Sequence, residues 1–375
     1  MAGTESIGKS DPLLEQTTSH PQGESTDGLL PGDHWTQTAN DPEQDDNDTD
    51  STLSDNASST ASLTSDILRY REINGRHYHS EQGDAQYWIS NDNQSNEALD
   101  IKWVSSFISM VVADSYSHHV LILLYDGKLC KAPVKDDIQT AVDIGTGTGI
   151  WAVDFADEFP NAKVIGTDIS PIQPSWLPPN LEFQIDDCTQ EWTFQENSLD
   201  YVHMRFLVGS IVDWTALYKQ AYKCLKPGGW IESHEAGPTI KSDDDSIPAE
   251  SAMGQWGKLF LEGGRRLQRP FSILEDDVQR QGMEEAGFTN LHEEEVKLPI
   301  GGWSNDPKTK EAGQYFQAAI LQDVEGTLMF IANLLGWAKE EIHVFAARYR
   351  REIKSENHHG YFLGKVVWAQ KPYDA

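Results

Sequence analysis

The stretch 141–170, AVDIGTGTGIWAVDFADEFPNAKVIGTDIS, constrains this chain more than any other. An apolar run, TAVDI, leads into three alternating glycines, Gly145, Gly147 and Gly149. Ala152, Phe155, Ala156 and Phe159 then recur at helical spacing, and Pro160 closes that segment. A second apolar run, KVIGTDI, carries Asp168 at its tip. A strand, a glycine bend, a helix and a second strand make the opening unit of a parallel sheet. Such sheets bind ligands at the carboxyl ends of their strands.

The alternation continues. LEFQIDD and LDYVHMRF read as the third and fourth strands, WTALYKQAYKCLKPGG as a helix stopped by Pro227 and Gly228, and WIESHEAG as the fifth strand. Beyond residue 237 the pattern is weaker. SAMGQWGKLFLEGGRRL and LEDDVQRQGMEEAGF read as helices, and TNLHEEEVKLPI as a sixth strand. EAGQYFQAAILQDVEGTLMFIANLLG and AKEEIHVFAARYRREIKS read as two further helices, and GYFLGKVVWAQKP as the final strand. The helical block 303–357 thus falls between the last two strands, where a hairpin would suffice. It reads as a lid or acceptor-pocket wall, with extra core or a dimer face as the plainer alternatives. Residues 66–101 read as a short helical lead-in with loops.

Composition divides the chain of 375 residues. Residues 1–65 hold 13 acidic side chains against the single Lys9, with few apolar residues and no period. Such a segment cannot bury enough surface to offset its ordering entropy, so 1–65 reads as a disordered tail. The net charge of −31 argues against direct binding of nucleic acid. The three cysteines, Cys130, Cys188 and Cys224, show no metal spacing and suit a reducing compartment. No secretory signal is read at the acidic N-terminus, which points to the cytoplasm or nucleus. The apolar segment 103–125 is interrupted by Asp114, His118 and His119, which argues against a membrane span.

Glycine allows the bend and lets a ligand approach the backbone. Asp168 is placed to accept hydrogen bonds from ribose hydroxyls. A dinucleotide fingerprint, G-x-G-x-x-G, would require glycine where Ile150 stands, and no Gly-Lys-Ser/Thr follows as in a P-loop. Asp143, two residues before the bend, sits badly beside a pyrophosphate and well beside a cationic methionine moiety. A sulfonium cofactor with an α-amino group fits this loop; NAD fits less well.

The motif D-x-G-x-G-x-G, the acid ending the second strand, the pair Asp186–Asp187 after the third and LKPGGW before the fifth together resemble class I S-adenosylmethionine methyltransferases. YREINGRHYH, GTGTGIWAVDFADEFP, GTDISPIQPSWLPPN, GSIVDW, LKPGGWIE and EEAGF further resemble the LaeA-like methyltransferases of filamentous fungi, over roughly 69–372. The resemblance implies an α/β, Rossmann-like fold: a seven-stranded, mostly parallel sheet with an antiparallel last strand and helices on both faces. Its domain would span 66–375, with a core at 136–300 and a final strand at 360–371. It implies S-adenosyl-L-methionine as cofactor. Asp143, Gly145, Gly147 and Gly149 would cradle the methionine portion, Asp168 the ribose, and Asp186, Asp187 and Cys188 the adenine pocket. SPIQPSWLPPN is either a cofactor-side loop or a rigid connector, with Trp176 as a core anchor.

Methyl transfer from a sulfonium needs chiefly alignment. A general base helps when the acceptor is a hydroxyl or an ammonium. The candidates lie at the tips of the fourth and fifth strands: His203, His234 and Glu235, with Arg205 and Glu232 beside them. His234 and Glu235 point to opposite faces of a strand, so only one can face a cleft. Two functions are compatible with these residues: a methyltransferase acting on a small molecule of fungal secondary metabolism, or a nuclear regulator of metabolite gene clusters working through protein partners. An NAD-linked oxidoreductase is disfavoured by Ile150. In the family LDI runs almost directly into the paired histidines; here 102–117 intervenes without turn or cap logic, and reads as an atypical insertion from a retained intron or mis-called exon.

Overall fold

The computed structural model describes residues 28–38, 71–73, 76–78 and 116–375. The sequence expectations for the rest of 1–65, for most of the lead-in and for 102–115 lie outside these residues. Strands β1 (Arg71–Ile73) and β2 (Arg76–Tyr78) pair antiparallel. The lead-in, read from sequence as a short helix with loops, therefore holds a strand pair that this reading does not include. Asn74–Gly75 lies between the two in sequence, a dipeptide that favours two-residue hairpin turns.

The main sheet is built from β3 (Thr140–Ile144), β4 (Lys163–Asp168), β5 (Leu181–Ile185), β6 (Leu199–Arg205), β7 (Leu225–Lys241), β8 (Thr289–Pro299) and β9 (Tyr361–Gln370). Its spatial order is β5-β4-β3-β6-β7-β9-β8. The first five are parallel, and β9 inserts antiparallel between β7 and β8. This is the expected mostly parallel, seven-stranded sheet. The strand order reverses direction between β3 and β6, the place where open α/β sheets bind ligands.

Both faces are covered. Helix α3 (Ile150–Glu158) buries Trp151, Ala152 and Phe155 against Ala141, Val164 and Tyr201 on one face. Helices α4 (Trp214–Cys224) and α6 (Val278–Ala286) cover the other, where Leu217, Tyr218 and Met283 meet Val142, Val202, Met204 and Ile231. Asp213 caps α4 by accepting from the Ala216 N–H at 2.8 Å. That helix ends at Cys224, three residues before the expected stop at Pro227 and Gly228, because Pro227 pushes the residue before it out of the helical region. The chain enters β7 there instead.

A third cluster lies beside the sheet. Helices α5 (Ala252–Leu267), α7 (Pro307–Gln322), α8 (Val324–Leu334) and α9 (Lys339–Ile353) pack with Phe362 and Val366 of β9. The segment 311–336, expected as one helix, is two. Asp323 breaks it and caps α8 through the Gly326 N–H at 2.9 Å. Helix α2 (Tyr116–Leu124) packs on α7. No helix among the described residues is long and apolar enough to cross a membrane.

The expectation for 1–65 needs one correction. Residues 32–37 form helix α1 (Gly32–Gln37), and Trp35 is only 1% exposed. Its indole meets the Phe345 ring edge-on at 4.8 Å within a group completed by Trp256, Trp337 and Tyr349. One large aromatic side chain supplies the burial that the surrounding polar sequence lacks. Trp176 shows the reverse: the plainer alternative for it, a core anchor, does not hold, since it is 70% exposed.

Candidate functional site

The glycine bend lies at the carboxyl edge between β3 and α3. All three glycines have positive φ: 67° at Gly145, 59° at Gly147 and 87° at Gly149. Their surroundings separate their roles. A Cβ on Gly149 would lie 2.2 Å from the Phe183 ring, and one on Gly145 would lie 2.4 Å from Leu207. A Cβ on Gly147 would meet nothing within 4 Å. Gly149 serves packing and the start of α3, whereas Gly147 faces open space where a ligand can reach the backbone.

Acids flank that space. Asp168 accepts from the Gly147 N–H at 2.8 Å and from the Ser170 N–H at 2.9 Å. Burial raises its pKa to about 6 against those two donors. Gln173, from the proline-rich connector, donates to the carbonyls of Gly147 (2.6 Å) and Ser170 (2.9 Å), so the connector pins the bend. At the far end, Asp187 accepts from the Thr189 N–H and hydroxyl at 2.9 and 2.7 Å. Burial pushes the Cys188 thiol up to about 12, with the Asp187 and Asp168 carboxylates adding to it. Cys188 is therefore a neutral thiol at physiological pH.

Asp143 is buried under the bend. One oxygen faces His203 Nδ1 at 2.7 Å and the other accepts from the Thr146 hydroxyl at 2.6 Å. Burial raises the Asp143 pKa to about 6; the Thr146 bond and the nearby Arg205 charge oppose it. Burial also drives the His203 pKa well down, helped by His234 and Arg205, so the imidazole is neutral and its Nδ1–H points at Asp143. Its ring stacks on Trp151, with centroids 3.7 Å apart and planes 5° from parallel. Its Nε2 has no hydrogen-bond partner among the described residues.

A cavity joins these groups. It is lined by Asp143, Gly145, Gly147, Asp168, Asp186, Asp187, Cys188 and His203 of the expected site residues. Gly149 is the one expected cofactor residue outside the lining. His234 and Glu235 also lie outside it. His234 sits between Tyr125 (3.2 Å) and Glu232 (2.5 Å), and Glu232 also accepts from the backbone N–H groups of Lys131 and Ala132. Burial works against ionisation of Glu232, yet the His234 bond leads the effects that hold its pKa below the ordinary carboxylate value. Glu235, on the opposite face, accepts from the N–H groups of Leu207 and Val208, while burial lifts it to about 8. Glu235 holds the backbone at 207–208, His234 joins Tyr125 to Glu232, and neither side chain lines the cavity. The two do point to opposite faces of the strand, but the one expected in the cleft from sequence is absent from its lining.

The cavity also takes in residues given no site role from sequence: Thr146, Trp151, Ser117 and the 207–211 turn. Thr146 carried a signal, as the hydroxyl inside the bend. Trp151 and His203 are 52 positions apart and nothing in either neighbourhood announces their stacking.

Comparison with known proteins agrees with this geometry. Residues 126–293 match the family model described as a methyltransferase domain. The chain is 34% identical over 331 residues to methyltransferase pytC of Aspergillus terreus, covering 87% of this chain and 95% of that protein. It is 33% identical to the secondary metabolism regulator LAE1 of Cochliobolus heterostrophus, covering 68% of this chain and 85% of that one. Among solved structures it is similar to phosphoethanolamine N-methyltransferase 2 of Haemonchus contortus, at 21% identity and a TM-score of 0.42, over 74% of this chain and 56% of that chain. On the sequence relatives, the sheet order and the acid-flanked bend, the chain belongs to the LaeA-like family of fungal methyltransferases.

Proposed function

We propose that this protein transfers the methyl group of S-adenosylmethionine to a small-molecule acceptor in fungal secondary metabolism, acting in the cytoplasm or nucleus. The observation that carries the reading is the open backbone at Gly147 between two carboxylates, the buried Asp143 and the half-buried Asp168. The donor set suits this ligand: carboxylates for an ammonium, a sulfonium and ribose hydroxyls, and an acid where a pyrophosphate would be repelled. In this reading Gly147 admits the methionine chain, Asp168 holds the ribose, and Asp186, Asp187 and Cys188 border the adenine. Asp143 already binds His203 and Thr146, so it acts on the ammonium chiefly through its charge. Gly145 and Gly149 shape the bend. When bound, the donor supplies an already electrophilic methyl group, and the protein supplies alignment. His203 is the one general-base candidate in the lining, and it serves first to fix Asp143.

Calorimetric titration with S-adenosylhomocysteine tests the reading. Micromolar binding is expected, abolished by Asp168→Ala. Tight NAD binding with no response to S-adenosylhomocysteine would refute it.

A second reading rests on relatives named as secondary metabolism regulators. In it the same donor site serves a nuclear protein that works through protein partners. Co-purification with and without residues 1–27, a deletion that leaves α1 and Trp35 in place, distinguishes the two: a partner retained only by the full chain favours regulation.

A further inference from the structure

The cavity lining is acidic along its length, with Asp143, Asp168, Asp186 and Asp187. Arg205 is the one arginine or lysine among the described lining residues. The donor named above carries two positive centres and one carboxylate. In a cavity of this charge the ligand's carboxylate needs a cation in contact, because an unpaired buried charge is strongly unfavourable.

The fold sets Arg205 where that contact is required. It ends β6, two residues beyond His203 and so on the same face of the strand. His203 lies opposite Asp143 in the sheet register, which puts Arg205 past Asp143 toward the carboxyl edge. Its charge is felt at Asp143. Immediately after it the chain turns sharply: Phe206 has φ of 57°, unusual for an aromatic residue, and its N–H bonds the His234 carbonyl at 2.9 Å.

Arg205 is also held from the other side. Its Nη1 lies 3.1 Å from His118 Nδ1, and His118 Nε2 lies 3.0 Å from Asp154 Oδ2. A guanidinium only donates, so His118 Nδ1 accepts and the imidazole hydrogen is on Nε2, aimed at Asp154. His118 is 4% exposed, which agrees with this neutral tautomer. The chain Arg205–His118–Asp154 ties β6 to α2 and α3, and Ser117, next to His118, lines the same cavity. Asp154 anchors the histidine; the histidine orients the guanidinium.

We propose that Arg205 binds the carboxylate at the amino-acid end of the methyl donor, with His118 as its positioning residue. The proposal rests on the donor reading given above. Together Asp143 and Arg205 form a seat for a zwitterion: the acid under the glycine bend faces the ammonium, and the guanidinium faces the carboxylate. A fork of N–H donors matches a carboxylate better than a single ammonium would.

The test uses the full chain and two ligands that differ only in the carboxylate: S-adenosylhomocysteine and its decarboxylated analogue, S-adenosyl-3-thiopropylamine. The wild type is expected to prefer the first. Arg205→Gln should weaken S-adenosylhomocysteine by at least about 30-fold and leave the analogue within about threefold, so that the preference collapses. His118→Gln should produce a smaller loss, about three- to tenfold, selective for the carboxylated ligand in the same way. Asp168→Asn, on the ribose side, should weaken both ligands equally. Equal weakening of both ligands by Arg205→Gln, or no effect on either, would overturn the proposal. So would a wild type that binds both equally, a comparison that stands even where the glutamine variant fails to fold. Wild-type protein that binds neither ligand would remove the donor reading itself, an outcome distinct from the loss of carboxylate selectivity.

Discussion

Asp143 and His203 face one another across neighbouring parallel strands, with 2.7 Å between the carboxylate and Nδ1. Both are nearly fully buried. The acid of the glycine bend is therefore half of an internal pair, and its geometry depends on an imidazole that is itself sandwiched against Trp151. Replacing His203 by alanine leaves the carboxylate without its partner and opens a space beside the indole. A loss of about 3–5 kcal/mol in urea unfolding is expected. His203→Gln, which can still donate to Asp143, should recover part of it; equal losses for the two variants would mean that only volume matters.

Asp143 and Asp168 predict opposite pH trends for folding and for binding. Each has a folded pKa of about 6, above the ordinary carboxylate value of 3.8. The folded chain thus holds more protons than the unfolded chain between these values. Their contribution to stability is greatest below pH 4 and declines as pH rises through 6, on the order of 3 kcal/mol for each carboxyl. A ligand with two cationic centres prefers the ionised acids, so donor affinity should rise about tenfold between pH 5 and 7. Calorimetry across this range, beside urea unfolding of Asp168→Asn and wild type, checks both slopes. An affinity independent of pH would mean that the carboxylates do not meet the ligand.

The three glycines predict separable failures. Gly147→Ala meets no neighbour and faces only the left-handed backbone penalty, about 1–2 kcal/mol. It should fold and lose donor binding, because its methyl group enters the cavity. Gly149→Ala drives a Cβ to 2.2 Å from Phe183 and should cost about 2–4 kcal/mol. Thermal unfolding and ligand titration on the two variants read the difference, and an unstable Gly147→Ala would contradict the assignment.

Trp35 predicts that part of the acidic N-terminal segment belongs to the folded unit. Trp35→Ala should cost about 3–5 kcal/mol through lost contacts with Phe345 and the rings around it. Urea unfolding of the full chain measures it. A change under about 0.5 kcal/mol would show that α1 contributes little to the folded state.

Glu235 predicts a structural phenotype where a chemical one was expected from sequence. Its two oxygens accept from the Leu207 and Val208 N–H groups, at 3.0 and 2.9 Å. Glutamine offers one acceptor and turns an N–H₂ toward the second donor, at a cost of about 1–3 kcal/mol. Donor affinity should fall with stability, through the 207–211 turn that lines the cavity. A variant of normal stability and altered catalysis would return Glu235 to the chemistry.

The sequence by itself determined the sheet, the glycine bend, the acids at the tips of β4 and β5 and the helical block before the last strand. These follow from period and spacing: strands alternate every two residues, helices repeat every 3.6, and a bend that needs positive φ advertises itself with glycine. Only the tertiary structure decided which of those residues share a space. Contacts such as Asp143 with His203, Arg205 with His118, and Trp35 with Phe345 join residues that are 60, 87 and 310 positions apart. No local pattern encodes such a distance. For the same reason neither His234 nor Glu235 lines the cleft, although one of the two is expected there from sequence: strand alternation tells that they point to opposite faces, but what waits there, Tyr125 and Glu232 for one and two backbone N–H groups for the other, is supplied by segments brought in only by the folded chain.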